Sequence, residues 1–269
     1  MTDRYQQLLR LLKRYESVAV AFSGGVDSTF LLAAAKEALG DQVIGVIGRS
    51  PSYPKRELEE AVRLAEALGA KYEIIDTDEM ENPGYFENSP KRCFHCKTTL
   101  FETIGDVAHR VGMKVMVEGS NADDTGDYRP GMEAARKLGV ETPLLDVGFT
   151  KAEIRDRSEK MGLPTWNKPA MACLASRIPY GESITPSRLS RIEKAEDALR
   201  DLGVASLRVR DHGEVARIEV APDQIRVLAA DDWRIKIVDA LKEAGYQYVC
   251  LDLTGYRTGA MNEVLQKKE

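Results

Sequence analysis

Apolar positions in the first 150 residues follow two alternating rhythms. Short, nearly unbroken apolar runs, "SVAVAF" (17–22), "QVIGVIG" (42–48) and "KVMVEGS" (114–120), read as strands buried on both faces. "DSTFLLAAAKEALG", which stops at Gly40, "PKRELEEAVRLAEALG" (54–69) and "KTTLFETIGDVAHRVG" (97–112) instead repeat apolar residues at helical spacing. This alternation predicts an α/β domain on a parallel sheet. The opening "MTDRYQQLLRLLKRYES" reads as an amphipathic helix. "KYEIIDTD" (71–78) leads into an irregular stretch that carries Cys93 and Cys96. Further on, "GMEAARKLG" (131–139) is expected to be helical and "VETPLLDVG" extended.

Thr150 with Glu153 three residues on forms a capping box at the start of "TKAEIRDRSEKMG" (150–162). "LPTWNKPAMACLASRIPYGE" is too rich in proline for a regular element and reads as a seam between domains. Beyond it come a helix, "TPSRLSRIEKAEDALRDLG", and a hairpin, "SLRVRDHGEVARIEV", turning at Asp211-His212-Gly213. Further helical stretches and "YQYVCLDL" (246–253), with Cys250 as a core residue, complete a smaller α+β unit. The expected division is 1–165 for the α/β domain and 166–269 for the α+β domain.

The 269 residues suffice for two modest cores, and 43% apolar with 30% charged residues is ordinary for a globular protein. No apolar run approaches the roughly 20 residues that span a bilayer, and there is no signal-peptide pattern, so a cytoplasmic protein without a membrane partner is expected. A formal net charge of −5 gives no general attraction for nucleic acid, which is not expected as a partner. In a reducing compartment, a close cysteine pair points to a metal or redox site ahead of a disulfide.

"VAVAFSGGVDST" carries the clearest chemistry. A buried strand runs into Ser23-Gly24-Gly25-Val26-Asp27-Ser28, and a helix begins there. The glycines let backbone N–H groups turn inward and the helix start adds positive potential, so the loop suits an anion. Ser23 and Ser28 can donate to phosphate oxygens. Asp27 would repel phosphate unless a cation intervenes, so its natural partner is Mg²⁺ on a polyphosphate. The bland alternative is a glycine turn with helix-capping residues.

The pattern resembles the PP-loop of the ATP pyrophosphatase superfamily, whose members cleave ATP between the α- and β-phosphates to adenylate a substrate. By that resemblance "EGSNADDTGDYRPG" (118–131) lines the nucleotide site, with Gly119, Ser120 and Asn121 near the nucleotide and Asp124, Asp127 and Arg129 around the phosphates. Arg49 and Ser50 fall where the superfamily cradles adenine. Lys97 could stabilise the adenylate phosphate, or simply be exposed. "CLASRIPYGESIT" (173–185) and "LRVRDHGEVARIEV", in order with the other two motifs, look like the LarE family across nearly the whole chain. Its members are ATP-dependent sulfur transferases of nickel-pincer nucleotide cofactor synthesis. The resemblance implies ATP, Mg²⁺ and a mononucleotide substrate, pyridinium-3,5-biscarboxylic acid mononucleotide, and the family's tendency to assemble suggests a homo-oligomer.

In that family the cysteine of the "CLASRIP" motif is essential, and in single-cysteine members it yields its own sulfur. Cys173 holds that place, with Arg177 four residues on able to lower its pKa. Cys93 and Cys96 depart from the single-cysteine pattern. With Cys173 they would supply three thiolates to a [4Fe–4S] cluster with an open iron, as in similar tRNA thiolases. A sacrificial Cys173 beside an uninvolved pair, or zinc or redox use, remain alternatives. On the hairpin, Arg208 and Arg210 share a face, with Arg217 across the turn. These three can fork onto a phosphate, which the resemblance assigns to the substrate; ordinary Arg–Glu cross-strand pairs are the simpler alternative. Other classes are an amidating ligase like the NAD synthetases, a tRNA thiolase, and a non-catalytic nucleotide sensor.

Overall fold

Helix α1 (Arg4–Tyr15) opens on Asp3, whose carboxylate accepts from the Tyr5 N–H at 3.1 Å, and it buries Tyr5, Leu8, Leu9 and Leu12. In this computed structural model, which describes residues 3–126, 130–257 and 259–262, the chain forms two units. The first comprises residues 1–85 and 90–171, the second 86–89 and 172–269. After α1, the first unit continues through β1 (Val18–Ala21), α2 (Val26–Leu39), β2 (Val43–Arg49), α3 (Lys55–Ala67) and β3 (Lys71–Asp76). A short α4 (Pro83–Phe86) and the long α5 (Arg92–Val111) lead to β4 (Val115–Val117), α6 (Pro130–Lys137), α7 (Pro143–Asp146) and α8 (Lys151–Lys160).

The four strands pair in parallel in the order β3-β2-β1-β4, with Val18 opposite both Val43 and Val115. Alternate residues of β1 serve opposite faces, as strand geometry requires. Val18 and Val20 join a core with α1, α2 and α3, whereas Ala19, Ile44 and Val46 pack with Phe101, Ile104 and Val107 of α5. The sheet thus lies between two helical layers, and the chain order places the β1–α2 turn at the carboxyl edge of the central strands.

The second unit holds α9 (Pro186–Asp201), β5 (Leu207–His212), β6 (Val215–Val220), α10 (Pro222–Leu228), α11 (Asp231–Glu243) and β7 (Tyr248–Leu251). Its sheet is mixed: β5 and β6 are antiparallel, β6 and β7 parallel. Leu207, Val209, Ala216 and Ile218 face α9 and α11, leaving the arginines of β5 and β6 on the other side. Among the described residues no helix is long and apolar enough to cross a membrane.

Four local readings change. The hairpin turns at Gly213-Glu214, because His212 still pairs with Val215. "VETPLLDVG" is not extended: only Glu141 bridges to Val117, and Pro143 then starts the turn of helix α7. Cys93 and Cys96 are helical, because α5 begins at Arg92 and not at Lys97. The favourable run that follows propagates back through residues of poor intrinsic propensity, since extending a helix costs far less than starting one. Cys250 is exposed, not core: on edge strand β7, Val249 and Leu251 turn inward and Tyr248 and Cys250 outward.

Candidate active site

The turn between β1 and α2 is built around two glycines. Gly24 has φ +61°, and a Cβ there would stand 3.0 Å from Cα of Ala61 on α3, so both conformation and space demand glycine. Gly25 caps α2 with extended dihedrals and no side-chain hydrogen bond, which leaves the first N–H groups of the helix open. Ser28 closes the turn: its Oγ accepts from the Ser23 N–H at 3.3 Å and lies 3.2 Å from Ser23 Oγ. Both hydroxyls therefore sit at one mouth of the loop.

Asp27 occupies the first turn of α2 and ion-pairs with Lys151, at the start of α8. Burial pushes its carboxyl above the ordinary range; the Lys151 ammonium pulls the other way without cancelling that effect, and Asp124 adds to the rise. Its Oδ1 is buried and has no hydrogen-bond partner. An orphaned carboxylate oxygen beside an anion loop fits a divalent cation with hard oxygen ligands. Gly119, at the end of β4, packs against this turn: a Cβ there would lie 3.1 Å from the Asp27 carbonyl carbon and from the Ser28 nitrogen.

The other expected nucleotide residues fall unevenly. Asn121 is buried and caps its own turn, its Oδ1 accepting from the Asp123 N–H at 3.0 Å while its N–H donates to Asp124. Ser120 donates to Glu118 at 2.6 Å, and Glu118 in turn pairs with Lys97 at 3.2 Å. Lys97 is half-buried over the Phe101 ring, not fully exposed. Arg49 is exposed and forked onto Asp76 at 2.6 and 2.7 Å, and Ser50 bonds Ser52 within its own turn. Asp127 and Arg129 lie outside the described residues.

Cys93 is exposed and Cys96 half-buried, three apart on one face of α5. Neighbouring His95 turns to Gly84, where any Cβ would collide with its ring. None of the four cysteines, all described, forms a disulfide. Among the described residues no group of three or more His, Cys, Asp or Glu is arranged to hold a metal ion. Two cysteine sulfurs one helical turn apart are soft donors of the kind that iron takes, but two alone fall short of the three that a cluster with one open iron needs.

In the second unit Cys173 is half-buried and caps a 3₁₀ turn, Leu174–Arg177. Arg177 is 1% exposed and does not serve as a surface cation beside the thiol. Its Nε and Nη2 donate to Glu196 at 2.8 and 2.9 Å, and Nη1 donates to the carbonyls of Ala172 and Cys173 at 2.8 and 3.0 Å. The guanidinium thus grips the backbone that carries the sulfur. Glu196 is fully buried; burial would push its carboxyl up, yet the Arg177 charge and the hydrogen bonds it receives hold it below the ordinary range.

Behind that turn opens a cavity of about 280 Å³, lined by Ser176, Tyr180, Arg210, Arg217 and Glu219 among others. Arg210 donates to the Ser176 carbonyl at 2.7 Å and pairs with Glu219 at 2.7 Å; Arg217 reaches Glu219 at 3.3 Å and also pairs with Asp252. Cross-strand Arg–Glu pairing is therefore real, and it coexists with a pocket that presents two guanidinium groups. Arg208 is not part of that lining: it donates to the Leu207 carbonyl and lies over the Tyr256 ring. Burial, and then the like charge of Arg177, lowers its pKa.

Sequence reasoning missed Lys151, Tyr53, Lys168 and Glu196. The capping box marked the helix that Lys151 opens, but nothing in its spacing pointed that lysine at Asp27.

A buried strand, a glycine turn with open N–H groups, and an acidic residue with an unsatisfied oxygen define a PP-loop nucleotide enzyme of the α/β class. An NAD synthase family model matches residues 6–121. Pyridinium-3,5-bisthiocarboxylic acid mononucleotide synthase of Lactiplantibacillus plantarum is 35% identical over 97% of this chain and 95% of its own length. An uncharacterized protein of Synechocystis is 39% identical over 99% of this chain and 100% of its own. A GMP synthase of Aeropyrum pernix is 27% identical over 74% of this chain but 43% of its own length. The chain belongs to the LarE family of ATP-dependent, sulfur-transferring enzymes.

Proposed function

We propose that the protein uses Mg–ATP to adenylate a carboxylate of pyridinium-3,5-biscarboxylic acid mononucleotide and then exchanges the activated oxygen for sulfur. The observation that carries this reading is the held turn at Cys173, in a chain that also builds an anion loop around Asp27. The near full-length likeness to an enzyme named for the bisthiocarboxylic product supports it.

In the first step a substrate carboxylate oxygen attacks the α-phosphorus and the bond to the β-bridging oxygen breaks, releasing pyrophosphate. The N–H groups of the glycine turn, with Ser23 and Ser28, bind phosphate oxygens. Asp27 Oδ1 would ligate Mg²⁺, which would neutralise charge on the phosphates. In the second step sulfur adds to the acyl carbon and AMP departs with the bonding pair, a far better leaving group than oxide. Arg210 and Arg217 bind the mononucleotide phosphate.

For the sulfur, we propose that Cys93, Cys96 and Cys173 hold a [4Fe–4S] cluster. Bound there, it would supply an exchangeable sulfur, so the chain itself would not be consumed. The competing route spends the sulfur of Cys173 and leaves dehydroalanine, and the half-buried thiol on a braced turn suits that role as well.

Pyrophosphate release from anaerobically prepared protein, measured with and without the pyridinium mononucleotide, tests the first step. Release should require the mononucleotide, and Cys173→Ser should keep it while losing thiocarboxylate. Release without thiocarboxylate from the wild type, or full activity of Cys173→Ser with ammonia, overturns the reading in favour of a ligase. The same preparations should contain iron and acid-labile sulfide, and Cys93→Ala should stop after one turnover. An iron-free wild type that consumes one Cys173 per product instead establishes the sacrificial route.

A further inference from the structure

The anion loop is held from outside by two side chains that no nucleotide chemistry has so far required. Tyr53 donates its hydroxyl to the Ser23 carbonyl at 2.7 Å, with the Glu57 carbonyl a weaker second acceptor at 3.4 Å. Lys168 donates to the Gly24 carbonyl at 3.2 Å. Its ammonium also ion-pairs with Glu57 at 2.7 Å and Glu60 at 2.9 Å, in a side chain only 13% exposed. The segment bearing Lys168 is itself pinned, because Arg155 donates to the carbonyls of Trp166 and Lys168 at 2.7 and 2.8 Å.

We propose that Tyr53 and Lys168 are positioning residues that preset the phosphate cradle by fixing two successive carbonyls of the loop. In a trans peptide the carbonyl and the following N–H point to opposite sides. All described peptide bonds are trans. Holding the Ser23 carbonyl therefore aims the Gly24 N–H away from Tyr53, and holding the Gly24 carbonyl aims the Gly25 N–H away from Lys168. Among the described residues neither N–H has an acceptor within the chain, as donors reserved for an anion must. Gly24 alone would not keep this geometry, since glycine visits many conformations and would have to be ordered when ATP arrives. Burial and then the nearby carboxylates Glu57 and Glu60 push the Tyr53 phenol well above its ordinary range, so it stays a donor throughout the physiological range. The two glutamates outweigh the charge of Lys168, which is therefore a brace and not a cation offered to phosphate.

The inference rests on the nucleotide reading of the loop, and calorimetric titration of the full chain with Mg–ATP and with Mg–pyrophosphate separates the two. Tyr53→Phe, which deletes one oxygen and no charge, should weaken both ligands by a common factor of about three- to tenfold. Lys168→Met should weaken them at least as much, and Lys168→Arg should recover most of the loss. Adding Glu57→Gln and Glu60→Gln to Lys168→Met should not restore binding, since the missing element is the held carbonyl. Wild-type affinity in Tyr53→Phe overturns the proposal, even if Lys168→Met fails to fold. Recovery in the triple variant also overturns it, because charge repulsion would then account for the loss. A wild type that binds neither ligand removes the nucleotide reading itself.

Discussion

At the scale of single residues, Asp27 shows how a site is kept at the expense of stability. Its carboxyl is raised mainly by burial, so the folded chain holds that proton more tightly than the unfolded chain does. The ionised form therefore costs stability above the raised value, and the cost is relieved as pH falls through it. Asp27→Asn should accordingly raise the melting temperature of the metal-free protein at neutral pH, with an advantage that shrinks on acidification. The same variant should bind ATP about tenfold or more weakly and respond little to Mg²⁺, because under the proposed mechanism the lost oxygen would be a ligand of that ion. Calorimetry at several pH values with and without Mg²⁺ checks both, and a variant that melts below the wild type when metal-free would contradict the burial argument. Arg177 teaches the complementary lesson. Four residues from Cys173 it invites a role in ionising the thiol, yet its donors go to Glu196 and to two carbonyls.

At the scale of elements, the Cys173 turn is joined to α9 through one buried ion pair. Arg177 and Glu196 are each essentially inaccessible, and Arg200 and the Val209 N–H complete the shell of the carboxylate at 2.8 and 3.1 Å. Because this carboxyl titrates lower in the folded chain, its stabilisation is present above the ordinary glutamate range and is lost as pH falls through the depressed value. Glu196→Gln leaves a buried guanidinium uncompensated and should cost about 3 kcal/mol at neutral pH. The deficit relative to wild type should narrow in acid, where wild type loses the same interaction. Urea unfolding at neutral and acid pH measures it, and a deficit independent of pH would refute the assignment. Most of this element pattern was legible in the chain. The runs that became β1, β2 and α2 are long, apolar and strongly periodic, so their type hardly depends on context. The start of α5 and the brevity of α7 were not legible, because cysteine, histidine and proline carry weak or ambiguous local preferences that the neighbouring structure overrides.

At the scale of the whole molecule, each unit has its own core and its own tryptophan. Trp166 belongs to the first unit and Trp233 to the second, in a chain that has two. A ligand that binds one folded unit stabilises that unit by mass action. With Trp233→Phe and Trp166→Phe as reporters, Mg–ATP should raise the thermal midpoint seen by Trp166 and leave that seen by Trp233 unchanged. Equal shifts in both would mean that the units unfold as one.

By itself the amino-acid sequence determined the strand–glycine turn–helix, the acidic residue in it, the sulfur-bearing loop and the smaller mixed domain. Each is a local pattern, set by periodicity and by which residues tolerate a turn. Only the tertiary structure decided that Lys151 meets Asp27, that Lys168 reaches Gly24, and that Glu196 claims Arg177. It also decided that Arg208 turns to Tyr256 and that Cys250 faces outward. These pairings join residues separated by up to 144 positions, as with Lys168 and Gly24. Which charge finds which partner is a matter of packing and desolvation, and no spacing along the chain encodes that.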